Sequence, residues 1–297
     1  RVTGRIHYAD SGKPCAGAHV ALTSPNWYPA VSDGEGQFTI PGVAPAQYQL
    51  MAYPPDDAAY LVRQLQVSIE AQEKTKALTI PLDPGELVTG KVVANDTRVA
   101  IAGVQVYYHS DNVPEGPDRS LARAGVTDAR GVFRVIAPPG DAELVLVGPV
   151  PKYFIPVWRF TEAPNPRFVQ PVMVAAGRPV QDLLFQVTRG LVIGGIVTDP
   201  KGQPVAGAEV MQLRSELDDS PPTQATQTDE AGHFALSGLP PTEPQELLVV
   251  HPERKLIGSA QVEGAATEQP TRTVVVKVQL QPAAVARGQI VVGGKPL

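Results

Sequence analysis

The chain has 297 residues, 43% of them hydrophobic and 19% charged, with a formal net charge of -5. This length suffices for about two or three domains of ordinary size. The acidic balance and the lack of any run of basic residues exclude a nucleic-acid partner, because phosphate binding needs clustered Lys and Arg. No apolar run approaches the roughly 18–20 residues needed to cross a bilayer, so we expect no membrane insertion within this chain.

The two ends of the sequence look cut from something larger. Arg1 already stands at the edge of a predicted strand, and Leu297 stops inside a pattern that has just restarted. We therefore expect a fragment of a longer protein. Cys15 is the single cysteine, which excludes a disulfide framework and a Cys-based metal site.

The first predicted element is a strand and turn that recurs along the chain, and recurrence at domain-sized spacing indicates tandem domains. Residues 2–20 and 192–210 align without a gap, 88–106 forms a looser copy around Gly90, and a further start lies at Gly288. The aligned pairs of the first two segments are Val2/Val192, Gly4/Gly194, Ile6/Ile196, Gly12/Gly202, Pro14/Pro204, Gly17/Gly207 and Val20/Val210. The pattern predicts domains at 1–85, 86–190 and 191–284, with a truncated fourth at 285–297.

The next element in each copy is a hairpin with the pattern [ST]-D-x-x-G-x-F. An Asp side chain can accept hydrogen bonds from backbone N–H groups ahead of it, and Gly supplies a positive φ. The pattern therefore predicts structural turns rather than catalytic acids. The residues in this role are Asp33 and Gly36, Asp128 and Gly131, and Asp229 and Gly232.

Short apolar alternations separated by Pro and Gly turns follow each hairpin. Counting along one copy gives about seven short strands and no convincing amphipathic helix, which is typical of an all-β sandwich. The links between copies are short, at 83–86, 188–190 and 281–284, and this brevity favours restrained domain orientation. The second copy carries an aromatic, Pro-rich insertion at 149–171.

Motifs for catalysis and metal binding are missing. None of the five His residues lies in a zinc-peptidase arrangement, no G-x-S-x-G is present, and no Gly-rich phosphate loop leads from a strand into a helix. Acidic residues at 56–57, 111–118 and 218–219 lack the spacing of a calcium loop. Cys15 aligns with Ile101 and Val205, which predicts a small buried core residue. We expect no catalytic residue, cofactor or metal site.

The landmarks together carry a family resemblance. In order they read V-x-G-x-[IV], G-x-P-[VC]-A-G-A-x-V, [TS]-D-x-x-G-x-F and P-x-x-Y-x-L, and this combination resembles the carboxypeptidase regulatory-like domain. The resemblance implies tandem seven-stranded, Ig-like, prealbumin-like (transthyretin-like) β-sandwiches related to the Cna-B surface repeats. It also implies catalytically silent accessory units that flank metallopeptidase domains or form stalks in bacterial surface proteins. Related domains are grouped with carbohydrate-binding-like folds, so sugar binding is suggested by analogy of fold alone.

Loop aromatics are the candidate contacts for a ligand or partner: Trp27, Tyr28, Tyr153 and Trp158. Their alternative role is to cover a domain junction or cap the sandwich. The function predicted first is a non-catalytic spacer or interaction module of a larger, extracytoplasmic bacterial protein, whose partners are the other domains of the parent chain and a protein or polysaccharide ligand. A carbohydrate-binding module and a regulatory region attached to a metallopeptidase remain as alternatives.

Overall fold

The described part of the chain is built from β-strands. The computed structural model describes residues 1–72, 74–110, 119–148, 150–155, 166–213, 225–265, 273–284, 291–292 and 295–296. Within these ranges the only helical element is a 3-10 turn at Pro166–Phe168. The predicted all-β class is confirmed.

The first repeat forms two sheets. Its strands are β1 (Val2–Tyr8), β2 (His19–Thr23), β3 (Tyr28–Val31), β4 (Gln37–Ile40), β5 (Ala46–Tyr53), β6 (Val62–Ile69) and β7 (Lys76–Leu82). One sheet has the order β4-β1-β7, and the other contains β6-β5-β2-β3. Exposed and buried residues alternate along β4, as expected for a strand with one face on a core.

The second repeat has the same connectivity with one extra strand. Its strands are β8 (Glu86–Ala94), β9 (Gln105–His109), β10 (Arg119–Leu121), β11 (Gly125–Val126), β12 (Val132–Ala137), β13 (Gly140–Val147), β14 (Val169–Val174) and β15 (Val180–Val187). The sheets have the orders β12-β8-β15 and β11-β9-β13-β14. The extra strand β10 belongs to neither of them.

The third repeat returns to the same plan. Its strands are β16 (Leu191–Thr198), β17 (Glu209–Leu213), β18 (Ala225–Gln227), β19 (His233–Leu239), β20 (Gln245–His251), β21 (Leu256–Val262), β22 (Thr273–Gln279) and β23 (Gln281–Pro282). The sheets have the orders β19-β16-β22 and β18-β17-β20-β21-β23. A short pair, β24 (Val291–Val292) and β25 (Lys295–Pro296), falls where the fourth copy is expected to start.

The core of the first repeat lies between its two sheets. Val2 and Ile6 of β1 are fully buried and belong to one cluster with Leu22 of β2 and Leu50 of β5. The third repeat has an equivalent cluster that includes Ile193 and Val197 of β16. The first and third repeats therefore each have the apolar interior of a β-sandwich.

The gap-free alignment of Gly4 with Gly194 is wrong by one residue. A Cβ on Gly4 would lie 2.8 Å from the carbonyl oxygen of Leu78 and against the Phe38 ring. In the third repeat the residue under the Phe234 ring is Gly195, whose Cβ would lie 2.6 Å from the Val276 carbonyl oxygen. The turn after β16 is one residue shorter than the turn after β1, since the bridge His7↔Pro14 corresponds to Thr198↔Pro204. The alignment therefore returns to register after that turn.

Contacts divide the chain into two units, 1–148 with 158–186, and 149–157 with 187–297. The first unit contains the first repeat and most of the second. Within it, β10 pairs antiparallel with β6, so that one five-stranded sheet of order β10-β6-β5-β2-β3 takes strands from two repeats.

Candidate functional site

The hairpin aspartates bind backbone of their own turns. Oδ1 of Asp33 accepts hydrogen bonds from the N–H groups of Glu35 at 3.0 Å and Gln37 at 2.8 Å. Asp128 and Asp229 make the same pair of bonds. The glycine three residues after each aspartate has a positive φ, +73° at Gly36. A carboxylate held in this way shapes a turn.

The hydroxyl residue that precedes each aspartate has a role that sequence reasoning missed. Oγ of Ser32 donates to the Cys15 carbonyl at 2.6 Å and accepts from the Ala18 N–H at 2.9 Å. Thr228 bonds Val205 and Ala208 in the same way, at 2.7 and 2.8 Å. These hydroxyls are buried and tie the segment before β2 or β17 to the hairpin. The signal was the recurrence of Ser or Thr at one position.

The described residues include neither a reactive cysteine nor a candidate metal site. Cys15 is fully buried, as the repeat register predicts, and burial raises the pKa of its thiol, which disfavours the nucleophilic thiolate. No cluster of three or more His, Cys, Asp or Glu side chains in the described ranges could hold a metal ion. The acidic segments 111–118 and 218–219 lie outside those ranges.

An apolar groove lies on the first repeat, on the outer side of β2 and β3. It is a groove of about 310 Å³ lined by His19, Val20, Ala21, Trp27, Pro29, Ala30, Val31 and Tyr53. Trp27 is 65% exposed and Tyr53 is 40% exposed, so both rings are available to a ligand. Tyr53 was not among the sequence-predicted contacts.

Two of the other predicted contacts, Tyr28 and Tyr153, lie outside this groove. Tyr28 points inward, with its ring 5.8 Å from that of Tyr48 in an edge-on arrangement against the core. Tyr153 is half-buried in the second unit, where its backbone bridges to Val150 and Arg189. Trp158 lies outside the described residues. Of the predicted contacts that the structure describes, Trp27 lines the groove and Tyr28 and Tyr153 do not.

A second surface of interest is the junction between the first two repeats. Nη1 of Arg123 donates to the carbonyl oxygens of Pro54 at 3.0 Å and Pro55 at 2.7 Å, and Nη2 forms an ion pair with Asp56. The backbone of Arg123 is itself bonded to Ile136 of β12. The guanidinium therefore links the second repeat to a loop of the first.

Apolar and backbone contacts complete this junction. A Cβ on Gly85 would lie 2.6 Å from Ile136 of the second repeat and 2.7 Å from Leu61 of the first. The link is also tied back to the first repeat, because the Gly85 N–H donates to the Ala59 carbonyl at 3.0 Å. A larger residue there would require the Ile136 or Leu61 side chain to move. Together with the β10–β6 pairing, these contacts make the junction a packed interface.

Comparison with known families gives one match. The family model described as "Carboxypeptidase regulatory-like domain" matches residues 1–82 and 192–281, which are the first and third repeats. Residues 83–191 lie outside the matched ranges. No curated protein sequence matches the chain.

Solved structures give weak similarities. The Bacillus anthracis TIE protein is 12% identical, with a TM-score of 0.30, and the match covers 93% of this chain and 49% of that one. A streptococcal ancillary pilin is 14% identical, with a TM-score of 0.34 and coverages of 94% and 99%. The shaft pilin SpaA of Lactobacillus rhamnosus GG is 10% identical, with a TM-score of 0.32 and coverages of 68% and 100%. Separately, none of the helical segments in the described ranges meets the length and hydropathy needed for a membrane span.

Proposed function

The chain belongs to the carboxypeptidase regulatory-like domain family, and from that premise we propose that it is a non-catalytic spacer and interaction module of a larger extracytoplasmic protein. Its domains in this proposal are 1–85, 86–190 and 191–284, followed by the start of a fourth. The module holds other domains of the parent chain at a set separation. Its partners are those domains and a protein or polysaccharide ligand.

The observation that carries the proposal is the junction between the first two repeats. A spacer needs successive domains that do not rotate freely, and here one sheet takes strands from both repeats. Arg123 adds charge-assisted bonds to two backbone carbonyls, and such bonds are about twice as strong as neutral ones. The second repeat thus has a fixed attachment to the first.

Nitrogen-15 relaxation on the intact chain tests the spacer. If the first two repeats move as one body, amides in 1–82 and in 86–186 report the same rotational correlation time. Arg123→Ala should separate the two values, while Arg130→Ala, a change at an exposed hairpin residue of the second repeat, should not. Two different correlation times in the unmodified chain would overturn the proposed spacer.

The groove at Trp27 supports a second candidate, a carbohydrate-binding surface. Exposed aromatic rings offer flat apolar faces on which sugar rings can stack, and His19 supplies a polar group at the same groove. Such a surface is compatible with a spacer role, since none of the residues that line the groove takes part in the Arg123 bonds or in the β10–β6 pairing.

Tryptophan fluorescence tests this second candidate. In a Trp158→Phe background Trp27 is the single tryptophan, so a spectral shift on adding oligosaccharides reports directly on the groove. Tyr53→Ala should weaken a shift produced by stacking, whereas Tyr107→Ala, on β9 of the second repeat, serves as the matched control. A panel of glycans that leaves the Trp27 emission unchanged would exclude the carbohydrate-binding candidate.

A further inference from the structure

The first and last strands of the first repeat lie side by side and run in the same direction. β1 and β7 pair in parallel over seven residues, from Val2↔Lys76 to Tyr8↔Leu82. Backbone bonds extend the ladder at both ends, from the Lys76 N–H to the Arg1 carbonyl at 3.0 Å and from the Ala9 N–H to the Leu82 carbonyl at 2.9 Å. The two strands through which the chain enters and leaves this repeat are therefore bonded directly to each other.

The third repeat has the same arrangement. β16 and β22 pair in parallel from Val192↔Thr273 to Thr198↔Gln279, and the Leu280 N–H extends the ladder to the Thr198 carbonyl at 2.8 Å. In the second repeat, β15 takes the corresponding place beside β8. The adjacency of first and last strands is thus common to the three repeats, and parallel pairing is described for the first and third.

This topology has a mechanical consequence. In a parallel pair, the start of the first strand and the end of the last strand lie at opposite ends of the ladder. Tension between these two points slides one strand along the other, and the evenly spaced bonds lie across the direction of sliding. All of these hydrogen bonds must therefore break at the same time before the strands can slide. A ladder opened from one end instead loses its bonds one at a time, and each loss needs less force.

Apolar side chains oppose the same sliding. Ile6 on β1 and Ile80 and Leu82 on β7 are fully buried in the core of the first repeat. A shift by one residue would turn every side chain of a strand to the other face, which exposes these residues to water. The ladder and the core therefore resist displacement along the strands together.

We propose that the repeats carry tension, and that in the first and third repeats the parallel pairing of first and last strands is the element that resists it. This inference rests on the proposed spacer function and specifies what the spacer withstands. The short links pass force directly from one repeat to the next, since three residues separate β7 from β8 and three separate β15 from β16.

Force spectroscopy with two pulling geometries in the intact chain tests the proposal. In a Cys15→Val background, handles on Arg189→Cys and Gln281→Cys load the β16–β22 ladder in shear. Handles on Lys201→Cys and Gln281→Cys load the same ladder from one end. All three handle sites are exposed.

At equal force, we expect unfolding in shear to be at least about tenfold slower than opening from one end, which corresponds to about 1.4 kcal/mol. Equal rates in the two geometries would overturn the proposed tension role and leave the spacer of two joined repeats intact. If the first two repeats tumble separately, the proposed spacer function is wrong. The two pulling geometries still test tension resistance in the third repeat by themselves.

Two proline variants at neighbouring positions of β22 provide a second measurement. Because Leu280 donates to β16, residues of even number on β22 direct their N–H groups toward β16 and those of odd number direct them away. Val276→Pro removes a rung of the ladder, and Val275→Pro removes an N–H on the outer edge. Native Pro81 on β7 already occupies the outward-facing position. We expect Val276→Pro to abolish the difference between geometries and Val275→Pro to retain it; the opposite result would contradict the role of the ladder.

Discussion

Nη1 of Arg123 lies 2.7 Å from the carbonyl oxygen of Pro55, so that a side chain of the second repeat donates a hydrogen bond to the backbone of the first. Arg123 also bonds Pro54, and its side chain is only 20% exposed. A hydrogen bond from a charged donor contributes about 1.5–3 kcal/mol, more than the roughly 0–1 kcal/mol of an exposed ion pair. The junction therefore depends on this one residue more than on any surface ion pair.

Replacing Arg123 by Met should lower the free energy of unfolding of the first unit by about 2–3 kcal/mol, because two bonds from a charged donor are lost. Urea denaturation followed by circular dichroism measures the change. Asp56→Asn is the control, since Asp56 is 99% exposed and its ion pair should contribute less than about 1 kcal/mol. Equal losses in the two variants would mean that the ion pair, and not the backbone carbonyls, holds the junction.

Thr228→Val should destabilise the third repeat by about 2–4 kcal/mol, because the Val205 carbonyl and the Ala208 N–H would both remain buried without a partner. Amide hydrogen exchange in peptides covering 205–213 measures the effect where it occurs. Thr273→Val, a change of the same shape at an exposed residue, should leave exchange there unaltered. Protection that survives Thr228→Val would show that the hydroxyl is dispensable.

Gly195→Ala should destabilise the third repeat by about 1–3 kcal/mol through overpacking, because its Cβ would lie 2.6 Å from the Val276 carbonyl oxygen. Gly194→Ala should cost less, since its Cβ meets a side-chain methyl of Thr273 at 3.1 Å. Differential scanning calorimetry of the two variants decides between the registers. A larger loss in Gly194→Ala would restore the gap-free alignment.

Asp199 should make the third repeat less stable in acid. Backbone hydrogen bonds from Gln203 and Lys201 and the Arg254 guanidinium hold the pKa of this carboxyl below its usual range. A carboxyl with a lowered folded pKa contributes stability that is fully present above its unfolded pKa of about 3.9, and that is lost as pH falls through the folded value.

Urea midpoints measured from neutral pH down to about pH 3 test this expectation. The midpoint of the unmodified chain should fall more steeply with acid than that of Asp199→Asn, which has no carboxylate to protonate. Parallel curves would show that Asp199 does not couple stability to pH. The Arg254→Gln variant, which keeps the turn bonds of Asp199, should lie between the two.

Much of the fold followed from local sequence pattern. The [ST]-D-x-x-G-x-F turns depend on bonds within five residues, as at Asp33 and Gln37, so that the local sequence specifies them. Alternating apolar residues predicted strands for the same reason. The burial of Cys15 followed from its alignment with Ile101 and Val205, because equivalent positions of one plan meet equivalent surroundings.

The candidate site was predicted less well. Trp27 and Tyr28 are neighbours in sequence, yet Trp27 lies in the exposed groove and Tyr28 packs against Tyr48. Successive residues of a strand point to opposite faces, so the start of β3 decides which ring is available. Tyr53 reaches the same groove from β5, a pairing of strands that no local pattern specifies.

By itself, the sequence determined the all-β class, the repeated plan and its turns, because these depend on local bonding and on the period of apolar residues. Only the tertiary structure decided that Gly195 rather than Gly194 lies under the phenylalanine, and that Arg123 reaches the backbone of another repeat. Both are contacts between residues distant in the chain. A one-residue difference in turn length changes the register of a whole strand, and the sequence of that strand alone does not reveal the change.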